Sequence, residues 1–538
     1  MPARAAPWAW AAALAACMAA AGFASVLAGL DVNWDLKNYH YYDAFAFSEG
    51  RLAWDVAPAQ VQTYHNPLLD LGFYALVREI PSPRIIAFAM ALPAGLAGFF
   101  LLRLATALFS AGMALRWVGI AAALAIGMTG ASGQAVLGTT MNEWPPAMLL
   151  MAGLAAIVES IARRGHASRG AWALAGLAAG LAMGMKLTYG VFALGLVVAA
   201  AMRIPWRASL SATFTTLACV LAGLAVTYGF WGAILWREFA NPFFPYFNEI
   251  FRSPWYEPVA WFDLHFGPRD ALQAAFFPFY FAQESLLVGD VAFRDWRLAA
   301  LMVLALAPLA RRAVDRRAAR SAPILAHADA WRFLAVFTLA SYLAWIRLYG
   351  IYRYLVPLEM LSGPLIVGCV AYLVRWPLVR AIAVVVVAAL LVGTTRKGDW
   401  GHLPFRGYYF DVAVPEILPG ALVIVGPFDP MAYTIPFFRH DARFVSPKNN
   451  LLEPGQQNLL ARRAAGLIAT HRGPLYSLDM APLPRVDPVL AHFGLVRDRA
   501  SCLRIRSYLD DSSLQVCRVA RAALYDSASA RSKEDGKR

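Results

Sequence analysis

Apolar runs long enough to cross a membrane recur along this chain from Pro7 to Gly393, far more than a soluble domain can use. A hydrocarbon core about 30 Å thick takes roughly 20 consecutive apolar residues per helix. Spans are expected near residues 8–29, 85–102, 117–137, 144–162, 170–185, 188–202, 209–236, 296–310, 333–346, 355–374 and 379–394. That gives eleven helices, an odd number, in a chain of 538 residues whose mean hydropathy is +0.51. The expected fold class is an α-helical polytopic membrane protein carrying a small extracytoplasmic α/β domain at its carboxy terminus.

The formal net charge of +14 would point a soluble chain toward nucleic acid, but here the arginines sit in short segments between apolar runs. Basic residues hold turns on the cytoplasmic side. With the amino terminus taken as cytoplasmic, the inside turns carry Arg103 and Arg116, then Arg163, Arg164 and Arg169, then Arg203 and Arg207. Arg311, Arg312, Arg316, Arg317, Arg320 and Arg332 follow, then Arg375 and Arg380. A wrong span count would scramble this bias. Leu14 to Cys17 has the form of a lipoprotein cleavage box, yet the apolar run continues well past Cys17, so the region reads as an uncleaved first span.

The odd count places three large pieces on the outer face: a first loop over 31–84, a long aromatic loop over 237–295, and everything after about Arg396. The expected organisation is a membrane domain over 1–395, an α/β domain over 396–526 and a disordered polar tail over 527–538. Within the α/β domain, ALVIVGPFDP reads as a strand with turn residues behind it. GQQNLLARRAAGLIATHRGPLYSL passes from a helical period to a strand, and SCLRIRSYL and LQVCRVA read as further strands. Outside the cytoplasm a disulfide between Cys502 and Cys517 is permitted.

Three cations break the charge bias. Lys186 in GLAMGMKLTYG, and Arg347 and Arg353 in IRLYGIYRYLVPLE, fall at outside helix ends. Such residues have partners, either a structural carboxylate or an anionic ligand such as a lipid-linked phosphate. Arginine suits phosphate through its planar fork and lysine through its compact charge. Glu143, in TMNEWPPAMLL, opens the fourth span. An acid there complements the helix dipole with Asn142 as cap, but together with Asp35 and Lys186 it also makes a set of charges at one depth and one face. In the first loop, Asp31 and Asp55 read as helix caps or as ligands for a metal or a sugar. His40 and His65 read as hydrogen-bonded loop residues, and Tyr39, Tyr41 and Tyr42 as an interfacial belt whose faces also suit sugars. FANPFFPYFNEIFRSPWYEP reads as a loop lying on the membrane.

These residues resemble the C-type (GT-C) membrane glycosyltransferase superfamily, which transfers sugars from polyprenyl-phosphate carriers. The match runs in order along residues 1–395. Asp35 is followed four positions later by Tyr39, then come AFAFSEGRLAWD and TYHNPLLD, in which Asn66 stands where the superfamily has proline. Glu143 precedes Pro145, Lys186 lies in a Gly-rich turn, and RYLVPLE begins at Arg353.

The resemblance implies an inverting-type glycosyltransferase in a bacterial inner membrane, with the amino terminus cytoplasmic and the carboxy-terminal domain periplasmic. It implies Asp35 as general base, assisted by Glu143, with Lys186, Arg353 and Arg347 on the donor phosphate and Tyr39, His40, His65, Asn66 and Asp55 on substrate. Glu143 would either assist the acceptor or hold a divalent metal, Mg or Mn, together with Asp35, since members of the superfamily differ in metal use and no ligand spacing here decides between the two. The donor would be a hexose or pentose on a polyprenyl phosphate, and the acceptor a glycan, lipid or protein. Elementary chemistry supports the base independently: a phosphate leaving group needs no proton, whereas the attacking hydroxyl or amine must lose one. Two other readings compete. A lipid-linked glycan polymerase or ligase carries a large outer loop with arginines and a histidine; Arg252, His265 and Arg269 occur in the long loop here, but in no recognisable pattern. A transporter or flippase would carry ionisable residues at mid-membrane in repeated halves, a pattern the sequence lacks.

Overall fold

The computed structural model describes residues 6–109, 115–203, 206–260, 265–314, 327–481, 485–510 and 513–522. The tail over 527–538 and Arg316, Arg317 and Arg320 lie outside the described residues. In chain order the helices begin with α1 (Pro7–Ala28), α2 (Tyr41–Ser48), α3 (Leu68–Glu79), α4 (Pro83–Leu108), α5 (Arg116–Met128), α6 (Ala131–Ala135) and α7 (Trp144–Arg164). Next are α8 (Arg169–Met185), α9 (Gly190–Ala201), α10 (Trp206–Phe239), α11 (Asn248–Phe251), α12 (Ala271–Ala275) and α13 (Phe277–Gln283). The series ends with α14 (Arg297–Val314), α15 (Ala328–Leu348), α16 (Val356–Leu373), α17 (Pro377–Thr394), α18 (Leu459–Thr470) and α19 (Asp487–His492). The chain divides into two compact units, one of Met1–Ala28, Ala87–Phe230 and Phe262–Trp400, the other of Gly29–Ile86, Trp231–Trp261 and Gly401–Arg538.

The first unit is a helical bundle, and ten of the eleven expected spans each fall on one helix. Pro7–Ala28, Pro83–Leu108, Trp144–Arg164, Trp206–Phe239, Tyr352–Leu373 and Pro377–Thr394 are each long and apolar enough to cross a bilayer. The protein is a multi-pass membrane protein. Close approach of backbones comes from small residues one turn apart on α8, Gly176 and Gly180: a Cβ added at Gly176 would sit 2.6 Å from the Thr216 carbonyl on α10. The expected span over 117–137 is interrupted. Helix α5 stops at Met128, and the chain turns through Gly130, where any Cβ would collide with the Glu359 carboxylate, into the short α6.

Helix ends alternate as up-and-down spans require. The carboxy ends of α5, α8 and α17 meet the amino ends of α7, α14 and α16 through side chains of Glu143, Lys186, Arg297 and Glu359. Elsewhere on the bundle, Arg103 of α4 forks onto Glu159 of α7 at 2.6 and 2.7 Å.

The second unit gathers β1 (Leu30–Asp31), β2 (His402–Leu403), β3 (Val412–Ala413), β4 (Leu422–Val425), β5 (Arg443–Val445), β6 (Leu475–Ala481), β7 (Leu495–Arg497), β8 (Leu503–Arg504), β9 (Arg506–Ser507) and β10 (Ser513–Arg521). The main sheet runs β5-β4-β6-β10-β7, with β8 also on β10. Strand β4 is parallel to both neighbours and buried throughout, as the unbroken apolar run LVIV requires. Cys502 and Cys517 are disulfide-bonded.

The first loop, expected within the membrane domain, folds with this sheet. Leu30 and Asp31 pair with Leu403 and His402, and Val56 bridges to Val445. The tie that fixes the loop is Asp55. Its oxygens accept from Arg51 Nε (2.8 Å) and Nη2 (2.9 Å), from Tyr42 Oη (2.9 Å) and from the Phe444 amide (2.9 Å). Arg51 also donates to the carbonyls of His440 (2.9 Å) and Ala442 (2.6 Å), so one buried ion pair joins loop and sheet.

Removing one partner of such a pair strands the other, at a cost of about 3–5 kcal/mol. Asp55→Ala is therefore expected to lower the melting temperature of the detergent-solubilised protein and open residues 29–86 to protease. Unchanged thermal and proteolytic stability would show that the pair does not hold the loop.

Candidate functional site

In the second unit the chain enters α2 through a π turn over Leu36–His40. Asp31 orients Asn33, whose Nδ2 donates to Asp31 Oδ1 at 2.7 Å, and Asn33 Oδ1 accepts the Leu36 amide at 2.8 Å. The wider turn keeps Tyr39 over Asp35, with its hydroxyl 3.5 Å from Asp35 Oδ2, and such turns recur at functional sites. Asp35 is largely buried, at 8% exposure.

The Tyr39 ring lies 4.0 Å from that of His40 and 5.4 Å, edge-on, from that of His65. His65 Nε2 is 2.8 Å from Tyr246 Oη, and His40 Nδ1 is 2.6 Å from Asp70 Oδ1. Asp35, Tyr39, His40 and His65 thus come together, as their positions in one loop suggested. Asn66 accepts the Leu68 amide at 3.1 Å at the start of α3, and Asp55 makes the sheet contacts described above.

Asp43 and Asp70 were not singled out by sequence. Asp43 follows Tyr39 by one turn and is buried, and that burial, with the Asp70 charge nearby, holds its carboxyl well above the ordinary range. The only signal was HYYDAF itself, since the meeting of His40 with Asp70 joins positions 30 residues apart.

In the first unit, α7 opens at Glu143 with prolines in its first turn, a position that needs no amide donors. Asn142 stands in the left-handed region (φ 59°), one residue before Glu143, which precedes the first helical residue. Glu143 is 1% exposed and pairs with Lys186, which terminates α8. Lys186 Nζ also donates to the Met141 carbonyl at 2.7 Å, and Tyr189 Oη donates to the Glu143 carbonyl at 2.7 Å.

Arg353 comes to the same place from the turn before α16. Its Cζ lies 5.5 Å from the Tyr354 ring centre, Lys186 Nζ lies 5.4 Å from that same ring, and Arg353 Nη1 is 3.7 Å from Met141 Sδ. Lys186, Arg353 and Glu143 are therefore one group. Arg347 is exposed in the last turn of α15, and among the described residues no hydrogen bond or ion pair joins it to that group. Both alternatives raised by sequence keep their force: Lys186 has a carboxylate partner and also shares its surroundings with a second cation. Among the described residues no three His, Cys, Asp or Glu side chains are grouped as a metal ion would require.

Since Asp43 binds its proton more tightly folded than unfolded, its burial costs stability as pH rises above the ordinary carboxylate value of 3.8. Asp43→Asn is expected to raise the melting temperature at pH 8 and to leave it unchanged near pH 3. An equal shift at both values would mean that folding does not tighten this carboxyl's hold on its proton.

No family model and no curated protein matches this sequence. The fold, however, is similar to that of the crystal structure of ArnT from Cupriavidus metallidurans bound to undecaprenyl phosphate. The form bound to undecaprenyl phosphate is 13% identical at a TM-score of 0.51, over 95% of this chain and 98% of that one. The apo form is 12% identical at a TM-score of 0.40, over 96% and 98%. The likeness to the bound form runs nearly end to end, and the two chains share their fold.

Proposed function

We propose that this protein is an inverting glycosyltransferase of a bacterial inner membrane that moves one hexose or pentose from a polyprenyl phosphate to an extracytoplasmic acceptor. The observation that carries the reading is the convergence of Lys186 and Arg353 on the Tyr354 ring within an apolar bundle. A compact ammonium and a planar guanidinium side by side are what a lipid-linked phosphate needs. The undecaprenyl phosphate bound to the similarly folded ArnT supports the choice of carrier. The Cys502–Cys517 disulfide supports an oxidising, periplasmic location for the second unit, with the amino terminus in the cytoplasm.

In this mechanism Asp35 takes the proton from the acceptor's hydroxyl or amine as that atom attacks the anomeric carbon. The bond from that carbon to the phosphate oxygen breaks, and the lipid phosphate leaves with the electron pair, unprotonated. Lys186 and Arg353 meet the charge that grows on the phosphate, and Glu143 holds Lys186 in place. Tyr39 orients the base. A single displacement inverts the anomeric centre.

The test is genetic and chemical together. A deletion strain should lose one sugar from an envelope glycoconjugate, read by mass spectrometry, and the intact gene should restore it. Asp35→Asn, present in the membrane at equal amount, should lower transfer by about 10²-fold or more, the usual contribution of a general base. Transfer by that variant at the parental rate would reject Asp35 as base.

A further inference from the structure

The bundle holds a second group of charges that the reaction as proposed does not use. Asp295 and Arg297 are fully buried and Glu359 is 1% exposed. Arg297 Nη1 binds Asp295 and lies 4.0 Å from Glu359 Oε1, while Nη2 donates to the Thr129 carbonyl at 3.0 Å and to Thr395 Oγ1 at 3.2 Å. One guanidinium thereby ties the start of α14 to the ends of α5 and α17.

The carboxylates face the first turn of α6. A helix start leaves its first amides without intrahelical acceptors. Here the Ala131 amide donates to Asp295 Oδ2 at 2.8 Å, that of Ser132 to Glu359 Oε1 at 3.0 Å, and that of Gly133 to Glu359 Oε2 at 2.8 Å. From α6 two bonds lead back to the cation pair. Ser132 Oγ donates to the Arg353 carbonyl at 3.2 Å, and the Gly133 carbonyl accepts from Trp144 Nε1 at 3.1 Å. Trp144 follows Glu143, the partner of Lys186. One support of each cation thus runs through a single five-residue helix, and the start of that helix is held by the ion group.

Two carboxylates and a guanidinium taken out of water stabilise a bundle no better than apolar side chains of the same volume. Their worth lies in direction: each oxygen accepts at a set place, so α6 has one register. We infer that Asp295, Arg297 and Glu359, acting through Ser132, are positioning residues for the donor-phosphate site. The inference rests on the reading of Lys186 and Arg353 as that site.

The test uses the full chain in nanodiscs of zwitterionic lipid, with undecaprenyl phosphate and undecaprenol as probes. The readout is the ratio of their affinities, which isolates the phosphate from the tail. Ser132→Ala removes one neutral hydrogen bond and should weaken undecaprenyl phosphate about threefold. Glu359→Gln removes charge-assisted bonds and should weaken it about tenfold or more. Undecaprenol binding should match the parent in both.

If both probes weaken in parallel, the ion group is structural only and the inference is wrong. Should Glu359→Gln not fold, Ser132→Ala decides alone. Lys186→Ala and Arg353→Ala separate the two ideas. If they abolish the preference for phosphate while Ser132→Ala and Glu359→Gln keep it, only the positioning role falls. If they too keep it, the donor site itself has been misplaced and the inference goes with it.

Discussion

A charge inside an apolar helix bundle persists only where an opposite charge or a set of peptide dipoles answers it, and the first unit is arranged around that requirement. Glu143 and Lys186 answer each other, and Arg297 is answered by Asp295 and Glu359. The consequences are visible in the backbone. Helix α7 starts where Glu143 must meet Lys186, and α8 ends where Lys186 must meet Glu143. The expected third span breaks at Gly130 because the chain there runs against a carboxylate that needs amide donors. The catalytic proposal inherits this order, since cations that hold a phosphate must themselves be held.

The second unit solves a different problem with the same chemistry. The buried pair of Arg51 and Asp55 couples its first loop to the edge strand β5. That anchoring leaves the preceding turn to carry Asp35 and Tyr39 at a fixed spacing. Two aspartates in one loop thus have opposite employments: Asp55 accepts four hydrogen bonds from the protein, while Asp35 sits beneath a tyrosine in the turn proposed as catalytic.

Much of this was legible in the sequence because membrane spans obey local rules of length and composition. Ten of the eleven expected spans each fall on one helix, and Lys186, Arg347 and Arg353 stand out since they defy the charge bias that explains the inside arginines. The strands at LVIV and LQVCRVA were legible from their apolar runs. What stayed hidden depends on contacts remote in sequence. The break in the third span is set by a glutamate 227 residues on, at Ser132. The folding of residues 31–84 with the sheet depends on a bridge from Val56 to Val445, and no period within the loop announces it. Asp295 and Arg297 were overlooked for a related reason: a cation adjoining an acid reads as an ordinary helix start until its burial is known.

The central claim is that Lys186 and Arg353 receive the phosphate of a polyprenyl carrier. An electron cryomicroscopy map of the protein in nanodiscs with undecaprenyl phosphate tests it most directly. The account predicts phosphate density within hydrogen-bonding distance of Lys186 Nζ and the Arg353 guanidinium, beside the Tyr354 ring. Well-ordered lipid phosphate bound elsewhere on the protein, with those two side chains unengaged, would contradict it.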